Sequence, residues 1–597
     1  MESQFGIVDY VVLAAMLTIS SSIGLYFRFS GGRQKTNSEF MYADGRLSAF
    51  PLACSLMSSF ISAVTILGVS AENYSYGTMF VVNNVAYAIG VLISTFLFVP
   101  VYFNAGVNGA YQYLDKRFGK ATRLTGSVAY SFQMVLYMGM ALYAPALALE
   151  TVTGMSKFYA ILGVGLICTF YSTMGGLKAV VFTDVFQSLI MYAAVMSVIV
   201  VAWIEKGSLS EIWRIAESHG RIEFNNFSLD PTVRHTWWGI ILGGTITNLA
   251  VYSVNQGQIQ RYISAGTLKT AQNSLLLNWP MLSCLSLLTS FAGLAIFSKY
   301  ARCDPFMTCK IDRSDQLMPY FVVNSMQHIP GLSGLFVSGI FSAALSTISA
   351  AMNSMAVVTL EDYIKPLYKK MRGKSFPEHT SLYAKLVSVM YGFVCVFFAF
   401  IADGLGSVLQ VSLTILGVVG GPTVGLFTLG MVFPTANQPG ALSGFITSLL
   451  ITFWLGFADK PAPIKLPTFS DGCPETTFGN MTLPQLDCSS ALNTKRSPDE
   501  YFYLYRLSYM WLSVFGFVSC VVVGLVVSWV RNIFGKKSLK RPDPSLFIPP
   551  VAFYLKRKYQ INERFLEETK AAFEMKDKIA EDKTDTEELK PCLSVSA

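Results

Sequence analysis

Four residues that could ligate a cation stand inside largely apolar helices: Asp184 and Gln187 in Phe-Thr-Asp-Val-Phe-Gln, and Ser346 and Thr347 in Phe-Ser-Ala-Ala-Leu-Ser-Thr-Ile-Ser. Asp184 and Gln187 are three apart and so share one helical face. Neighbouring hydroxyls at 346 and 347 offer the oxygen ligands that a hard cation prefers. A third run, Ser-Leu-Met-Ser-Ser-Phe-Ile-Ser-Ala-Val-Thr, adds Ser55, Ser58, Ser59, Ser62 and Thr65. Two hydroxyls, a carboxylate and freed backbone carbonyls together make a sodium cage. Each cluster also has a structural explanation: small polar residues form helix–helix seams, and an aspartate near a helix end pairs with a lysine such as Lys178.

The segment Tyr-Ser-Val-Asn-Gln-Gly-Gln-Ile-Gln-Arg-Tyr at 252–262 crowds amides around Gly257. That density predicts a broken helix, the device by which membrane proteins expose backbone groups to a ligand. Gln260, Arg261 and Tyr262 also read as a polar cytoplasmic helix end. No unpaired Lys, Arg or His is then expected at mid-membrane depth. An anionic ligand would be held by hydroxyls, amides, a half-helix N-terminus and a bound sodium.

The elements that must position these residues are membrane helices. Of 597 residues, 52% are hydrophobic and 14% charged, against about 25% charged in soluble domains; lipid is the expected solvent. Apolar runs near 7–29, 50–72, 79–103, 124–149, 157–177, 180–204, 236–262, 274–298, 331–357, 382–402, 407–431, 437–457 and 506–530 predict an all-α membrane protein of about thirteen transmembrane helices. The basic linkers around Arg28–Arg46, Lys116–Arg123 and Lys365–Lys374 fall in the cytoplasm if the N-terminus is outside and the C-terminus inside. The net charge of +8 sits mainly in such linkers, which gives no nucleic-acid signal. No basic region precedes the first span, so a cleavable signal peptide is not expected.

The same topology puts loops 205–235, 299–330 and 458–505 outside. Asn226-Phe-Ser and Asn480-Met-Thr are glycosylation sequons there, whereas Asn73-Tyr-Ser sits too close to a span. Cys303 with Cys309, and Cys473 with Cys488, form two candidate local disulfides; Cys54, Cys168, Cys284, Cys395 and Cys520, in apolar runs, act as small hydrophobes. No CxxC or HExxH occurs, which leaves zinc hydrolysis unsupported. Gly373-Lys374-Ser375 resembles a P-loop ending, but Tyr368 stands where its first glycine is needed.

Taken together, Ser-Phe-Ile-Ser-Ala-Val-Thr-Ile-Leu-Gly (59–68), Tyr-Ala-Pro-Ala-Leu-Ala-Leu (143–149), Cys-Thr-Phe-Tyr-Ser-Thr-Met-Gly-Gly-Leu-Lys-Ala-Val (168–180), Thr-Asp-Val-Phe-Gln (183–187), Val-Asn-Gln-Gly-Gln-Ile-Gln-Arg-Tyr (254–262) and Leu-Ser-Thr-Ile-Ser (345–349) resemble the sodium:solute symporter family. The likeness is to its animal branch of multivitamin, monocarboxylate and iodide transporters. It implies a multi-pass plasma-membrane symporter, not an enzyme, with sodium as coupling ion and no other cofactor. The implied fold has inverted five-helix repeats over 50–204 and 236–431. An extra helix and linker (1–49) precede them, and loop 205–235 joins them. Two helices follow within 432–530, around loop 458–505, and then a cytoplasmic tail at 531–597.

The resemblance assigns a first sodium to backbone oxygens of Ser58, Ile61 and Ala343 and the hydroxyls of Ser346 and Thr347, with Asp184 and Gln187 completing or supporting it. A second sodium would use Ser62, Thr65 and Tyr137. The adjoining substrate pocket would use Phe60, Thr65, Tyr137, Tyr252 and Asn255. Thr65 argues against iodide, and Phe-Gln-Met-Val-Leu-Tyr-Met-Gly (132–139) and Val-Arg-His-Thr-Trp-Trp (233–238) lean toward multivitamin members, hence biotin- or pantothenate-like carboxylates. Monocarboxylate import, or solute sensing without transport, are the alternatives. Ser70, Gln112 and Ala343-Ala344 depart from the family pattern, the last beside the proposed cage.

Overall fold

The computed structural model describes residues 5–29, 43, 47–374, 376, 382–402, 404, 406–473, 477–478, 481–482, 500–534 and 542–561. Its helices in chain order are α1 (Ile7–Phe29), α2 (Ala49–Phe60), α3 (Ala63–Tyr76), α4 (Thr78–Asn104), α5 (Ala110–Arg117), α6 (Lys120–Thr153), α7 (Lys157–Phe170), α8 (Gly176–Lys206), α9 (Leu209–Ser218), α10 (Gly239–Tyr252), α11 (Gln256–Ser264), α12 (Leu268–Tyr300), α13 (Leu317–Met326), α14 (Leu332–Arg372), α15 (Leu382–Ala402), α16 (Val408–Val432), α17 (Gln438–Phe457), α18 (Met510–Phe534) and α19 (549–561). Among the described residues a two-residue ladder, Thr477–Phe478 with Met481–Thr482, is the extent of β-structure.

Among the described residues ten helices are long and apolar enough to cross a membrane, or eleven when the bent pair α2–α3 counts as one span. The shorter apolar helices α7 and α10 lie where two further spans are expected. α7 leads into α8 across Gly176, whose φ of 58° lies in the left-handed region that glycine enters without steric cost. The expected span at 236–262 likewise stops at Tyr252 and resumes at Gln256.

α14 runs through the centre and is buried from Ser333 to Val358 at almost every position. Its approach to α8 depends on Gly339, where an added Cβ would stand 2.2 Å from that of Ala194. α12 meets α3 in the same way, Gly293 against the Ser70 carbonyl at 2.3 Å. Such small-residue contacts substitute for the hydrophobic drive that lipid does not supply. The rim instead exposes Leu189, Phe393, Leu450 and Trp529, the outward face expected beside acyl chains.

Loops 205–235, 299–330 and 458–473 gather on one face. The Leu466 N–H bonds the Ser75 carbonyl at 3.0 Å, Arg221 donates to the Pro467 carbonyl at 2.7 Å, and Asp304 N–H meets the Phe469 carbonyl at 2.9 Å. This extended strap overturns the expected local disulfides: Cys303 bonds Cys473 across 170 residues. The strap's backbone contacts carry Cys473 to Cys303, whereas Cys309 is turned aside at φ 56° and is itself disulfide-bonded. Cys488 lies outside the described residues, as do Asn480 and the tail beyond 561. Asn226 is half-buried in its loop, and Asn73 is fully buried.

The opposite face collects basic linkers. Arg117 closes the C-terminus of α16 by donating to the carbonyls of Gly430, Phe433 and Ala436 at 2.9–3.1 Å, satisfying acceptors the helix cannot. Residues 542–548 dock beside it: Tyr113 donates to the Leu546 carbonyl at 3.0 Å and Ile548 N–H to the Met431 carbonyl at 3.1 Å. Arg123 is paired with Asp362 and Asp115.

Non-reducing peptide mapping is expected to recover one cross-linked fragment containing Cys303 and Cys473. A fragment closed internally between Cys303 and Cys309 would contradict this face of the fold.

Candidate functional site

The site begins with the break in the α2–α3 span. Ile61 leaves helical space at φ −76°, ψ 98°, Ser62 stands at φ −91°, ψ 172°, and α3 departs at 61° to α2. No Gly or Pro occurs between 58 and 65. The break deprives the last carbonyls of α2 and the first N–H groups of α3 of ladder partners, and so presents backbone polar groups to the centre.

Asp184, on α8, is fully buried directly behind this break. Ser346 donates to its Oδ1 at 2.6 Å, and Ser55 to its Oδ2 at 2.5 Å. Ser346 also reaches the Ser58 Oγ at 2.8 Å. Arg261 donates through Nε to the Ser55 Oγ at 2.8 Å and holds Nη2 3.7 Å from Asp184 Oδ2. Lys178 is directed elsewhere, over the Phe27 ring at 5.7 Å, so the helix-end pairing open at the sequence level does not occur. A buried carboxylate depends on such partners: removing one from a buried pair costs roughly 3–5 kcal/mol.

The Thr347 hydroxyl is buried without a hydrogen-bond partner among the described residues, as are both amide atoms of Gln187. Ala343 is fully buried. Among the described residues no three His, Cys, Asp or Glu cluster to hold a metal. What the centre offers is one carboxylate, several hydroxyls and freed carbonyls, a ligand set for a hard monovalent cation rather than a soft metal.

Beside the cluster lies a cavity of about 40 Å³ walled by Ser59, Phe60, Tyr137, Asn255, Arg261 and Thr347, among others. Organic ligands occupy pockets of roughly 300 Å³ or more, so this centre is closed. Tyr137 donates to the Ser62 Oγ at 3.3 Å. Asn255 caps α11 by accepting from the Gly257 N–H at 2.8 Å. Tyr252 packs at a tilt against Phe60 with centroids 5.6 Å apart, but neither Tyr252 nor Thr65 is among the cavity's wall residues.

Arg261 corrects the sequence reading. Expected at a polar helix end, it is 1% exposed, touches the Asp184 cluster and lines the cavity, with Nη2 lacking a hydrogen bond. The centre therefore does contain a cation of its own. The break at Asn255 turns α11 so that this residue faces inward, a change of direction that spacing alone does not encode.

Comparison with known proteins accounts for this architecture. The family model described as the sodium:solute symporter family matches residues 40–448. The chain is 47% identical over 562 residues to a putative sodium-dependent multivitamin transporter of Drosophila melanogaster, covering 92% of each chain. It is 42% identical over 542 residues to the sodium-coupled monocarboxylate transporter 1 of Mus musculus, covering 88% of this chain and 87% of the relative. A solved Na+-coupled sialic acid symporter, in a substrate-bound outward-open state, superposes with a TM-score of 0.70 at 23% identity over 88% of this chain and 98% of that one. That likeness places the fold among the inverted-repeat transporters. The chain belongs to the sodium:solute symporter family, and is a multi-pass sodium-coupled solute symporter rather than an enzyme.

Proposed function

We propose that the protein imports a small organic anion together with sodium, that the anion is a carboxylate of the biotin or pantothenate kind, and that it works at the plasma membrane with its N-terminus outside. The observation that carries the reading is the Asp184 cluster: a buried carboxylate tied to hydroxyls of α2 and α14 within two turns of the break that ends the first of these helices. Sodium binds between α2 and α14, at the carbonyls of Ser58, Ile61 and Ala343 and the hydroxyls of Ser346 and Thr347. The orphaned Thr347 hydroxyl supports this, since a buried donor and acceptor without a partner is otherwise costly. Asp184 lies behind the hydroxyls and balances the ion's charge, with Gln187 one turn away. A second sodium at Ser62, Thr65 and Tyr137 draws support from the Tyr137–Ser62 contact.

The anion occupies the cavity beside Phe60, Tyr137 and Asn255 once the surrounding helices part. Sodium from outside favours the outward-open arrangement, the anion then enters, and closure followed by inward opening releases both. Each net positive charge carried inward gains about 2.3 kcal/mol per 100 mV, which suffices to concentrate an anion against its own gradient when more sodium than anion charge moves. The monocarboxylate reading retains support from the 42% identity to a transporter of that name.

Uptake into proteoliposomes, with and without an inward sodium gradient, separates the readings. Biotin and pantothenate are expected to accumulate only with sodium, iodide and glucose not at all; accumulation of lactate alone assigns the monocarboxylate class, and binding without accumulation assigns a sensor. Ser346→Ala and Thr347→Ala are each expected to raise the sodium concentration for half-maximal uptake by about tenfold, the ratio that corresponds to 1.4 kcal/mol. Unchanged sodium dependence in both removes the cation from this place. Asn226→Gln is expected to shift the mass of protein made in animal cells by one N-glycan.

A further inference from the structure

A second cavity, about 400 Å³, opens on the face that carries the disulfide-tied loops, with Arg234, His235, Gln410, Lys460, Arg506 and Tyr509 on its wall. It stands over the centre on shared helices. Glu72, beneath its floor, is ten residues along α3 from Ser62, or roughly 15 Å at helical rise. Gln410 is on α16, which also supplies Leu416 to the inner cavity.

The charges on this wall are not equivalent. Arg234 is committed: it forks onto both oxygens of Glu72 at 2.6 and 3.0 Å, reaches Gln410 at 3.3 Å, and lies over the rings of Tyr76 and Tyr509 at 4.1 and 5.0 Å. His235 is bonded to the Tyr509 hydroxyl at 2.9 Å and lies 3.2 Å from Glu72. Glu223 is the carboxylate on the wall itself. Arg506 is likewise offset, by the charge of Asp230.

Lys460 differs from both arginines: it is half-buried and makes no hydrogen bond or ion pair with the described residues. Partial burial without a counter-ion pulls its amine down to about 8. The residue is also held in place. It opens the strap at 460–473 that carries Pro461, Pro463 and Pro467 and is pinned by the Leu466–Ser75 bond, the Arg221–Pro467 bond and the Cys303–Cys473 disulfide. A partly desolvated cation on an anchored backbone, beside hydrogen-bonding side chains, is a receptor for an anion.

We propose that this cavity is an outer carboxylate-binding site, in which the Lys460 ammonium pairs with the organic anion before it descends along α3 and α16 to the centre. The proposal rests on the reading that the transported solute is an organic anion, and its test contains an arm that does not use transport. In detergent-solubilised full-length protein, acetylation of Lys460 by an N-hydroxysuccinimide acetate ester is followed by mass spectrometry, with exposed Lys310 as internal reference. Biotin, pantothenate or lactate at saturating concentration is expected to slow Lys460 acetylation by about threefold or more, while uncharged panthenol and an equal concentration of chloride leave it unchanged. Protection by none of the carboxylates, or equal protection by chloride, overturns the proposal.

In proteoliposomes Lys460→Gln is expected to lower kcat/KM for the transported carboxylate by about three- to tenfold, an effect that shrinks as ionic strength rises. Sodium half-saturation stays as in the wild type, and Lys460→Arg recovers most of the loss. An unchanged kcat/KM in Lys460→Gln overturns the feeding role. Protection of Lys460 in a wild-type protein that accumulates none of the three carboxylates would sink the import reading and leave the outer site standing; accumulation without protection would do the reverse.

Discussion

One carboxylate sets the terms for the rest of the molecule. Asp184 is sealed from water and must be compensated entirely by groups on other helices: Ser55 from α2, Ser346 from α14 and Arg261 from α11. Arg261 reaches it because α11 turns inward, and Ser346 because α14 approaches α8 closely enough for Gly339 to meet Ala194. The arrangement is stiff as a hydrogen-bonded set and sensitive to charge, because an isolated ion in this environment would be far more costly than a paired one. At the sodium site proposed beside Ser346 and Thr347, a cation would therefore act on all three helices at once.

The two cavities give this chemistry a direction. The inner one is too small for an organic solute, while the outer one has room for it, and α16 lines both, with Leu416 on the inner wall and Gln410 on the outer. α3 carries Ser62 at its inner end and Glu72 near its outer end, so a tilt of that half-helix about the break moves both. The Arg234–Glu72 fork ties the outer end of α3 to the loop before α10, and the Tyr509 ring adds the loop before α18. Movement at the centre is thereby mechanically linked to the outer wall.

Much of the centre was legible in the sequence because hydrocarbon is so intolerant of polar groups. Asp184, Ser346 and Thr347 stand out in apolar runs for that reason, and the structure brings Asp184 and Ser346 into direct contact. Arg261 was missed since a lysine or arginine after a cluster of amides reads as a helix end; only the turn at Ser253–Asn255 makes it central. The break at Ile61 carries no Gly or Pro, so its run looked like one continuous span. The same limit affects α7 and α10, whose apolar stretches are interrupted by backbone turns that periodicity does not register. Disulfide connectivity is a property of the folded surface: the cysteines near in sequence, Cys303 and Cys309, are not partners, because the strap that brings Cys473 across is held by backbone bonds with no residue signature.

That long-range link has a consequence for how the chain is made. Cys303 leaves the ribosome 170 residues ahead of Cys473, an interval of on the order of ten seconds or more at ordinary synthesis rates. Throughout it Cys303 and Cys309 are the available neighbours, and their premature union would be a biogenesis error that a disulfide isomerase must undo. Closing the correct bond requires α14 to α17 to have been inserted first, so its formation certifies that the second half of the transporter has been threaded.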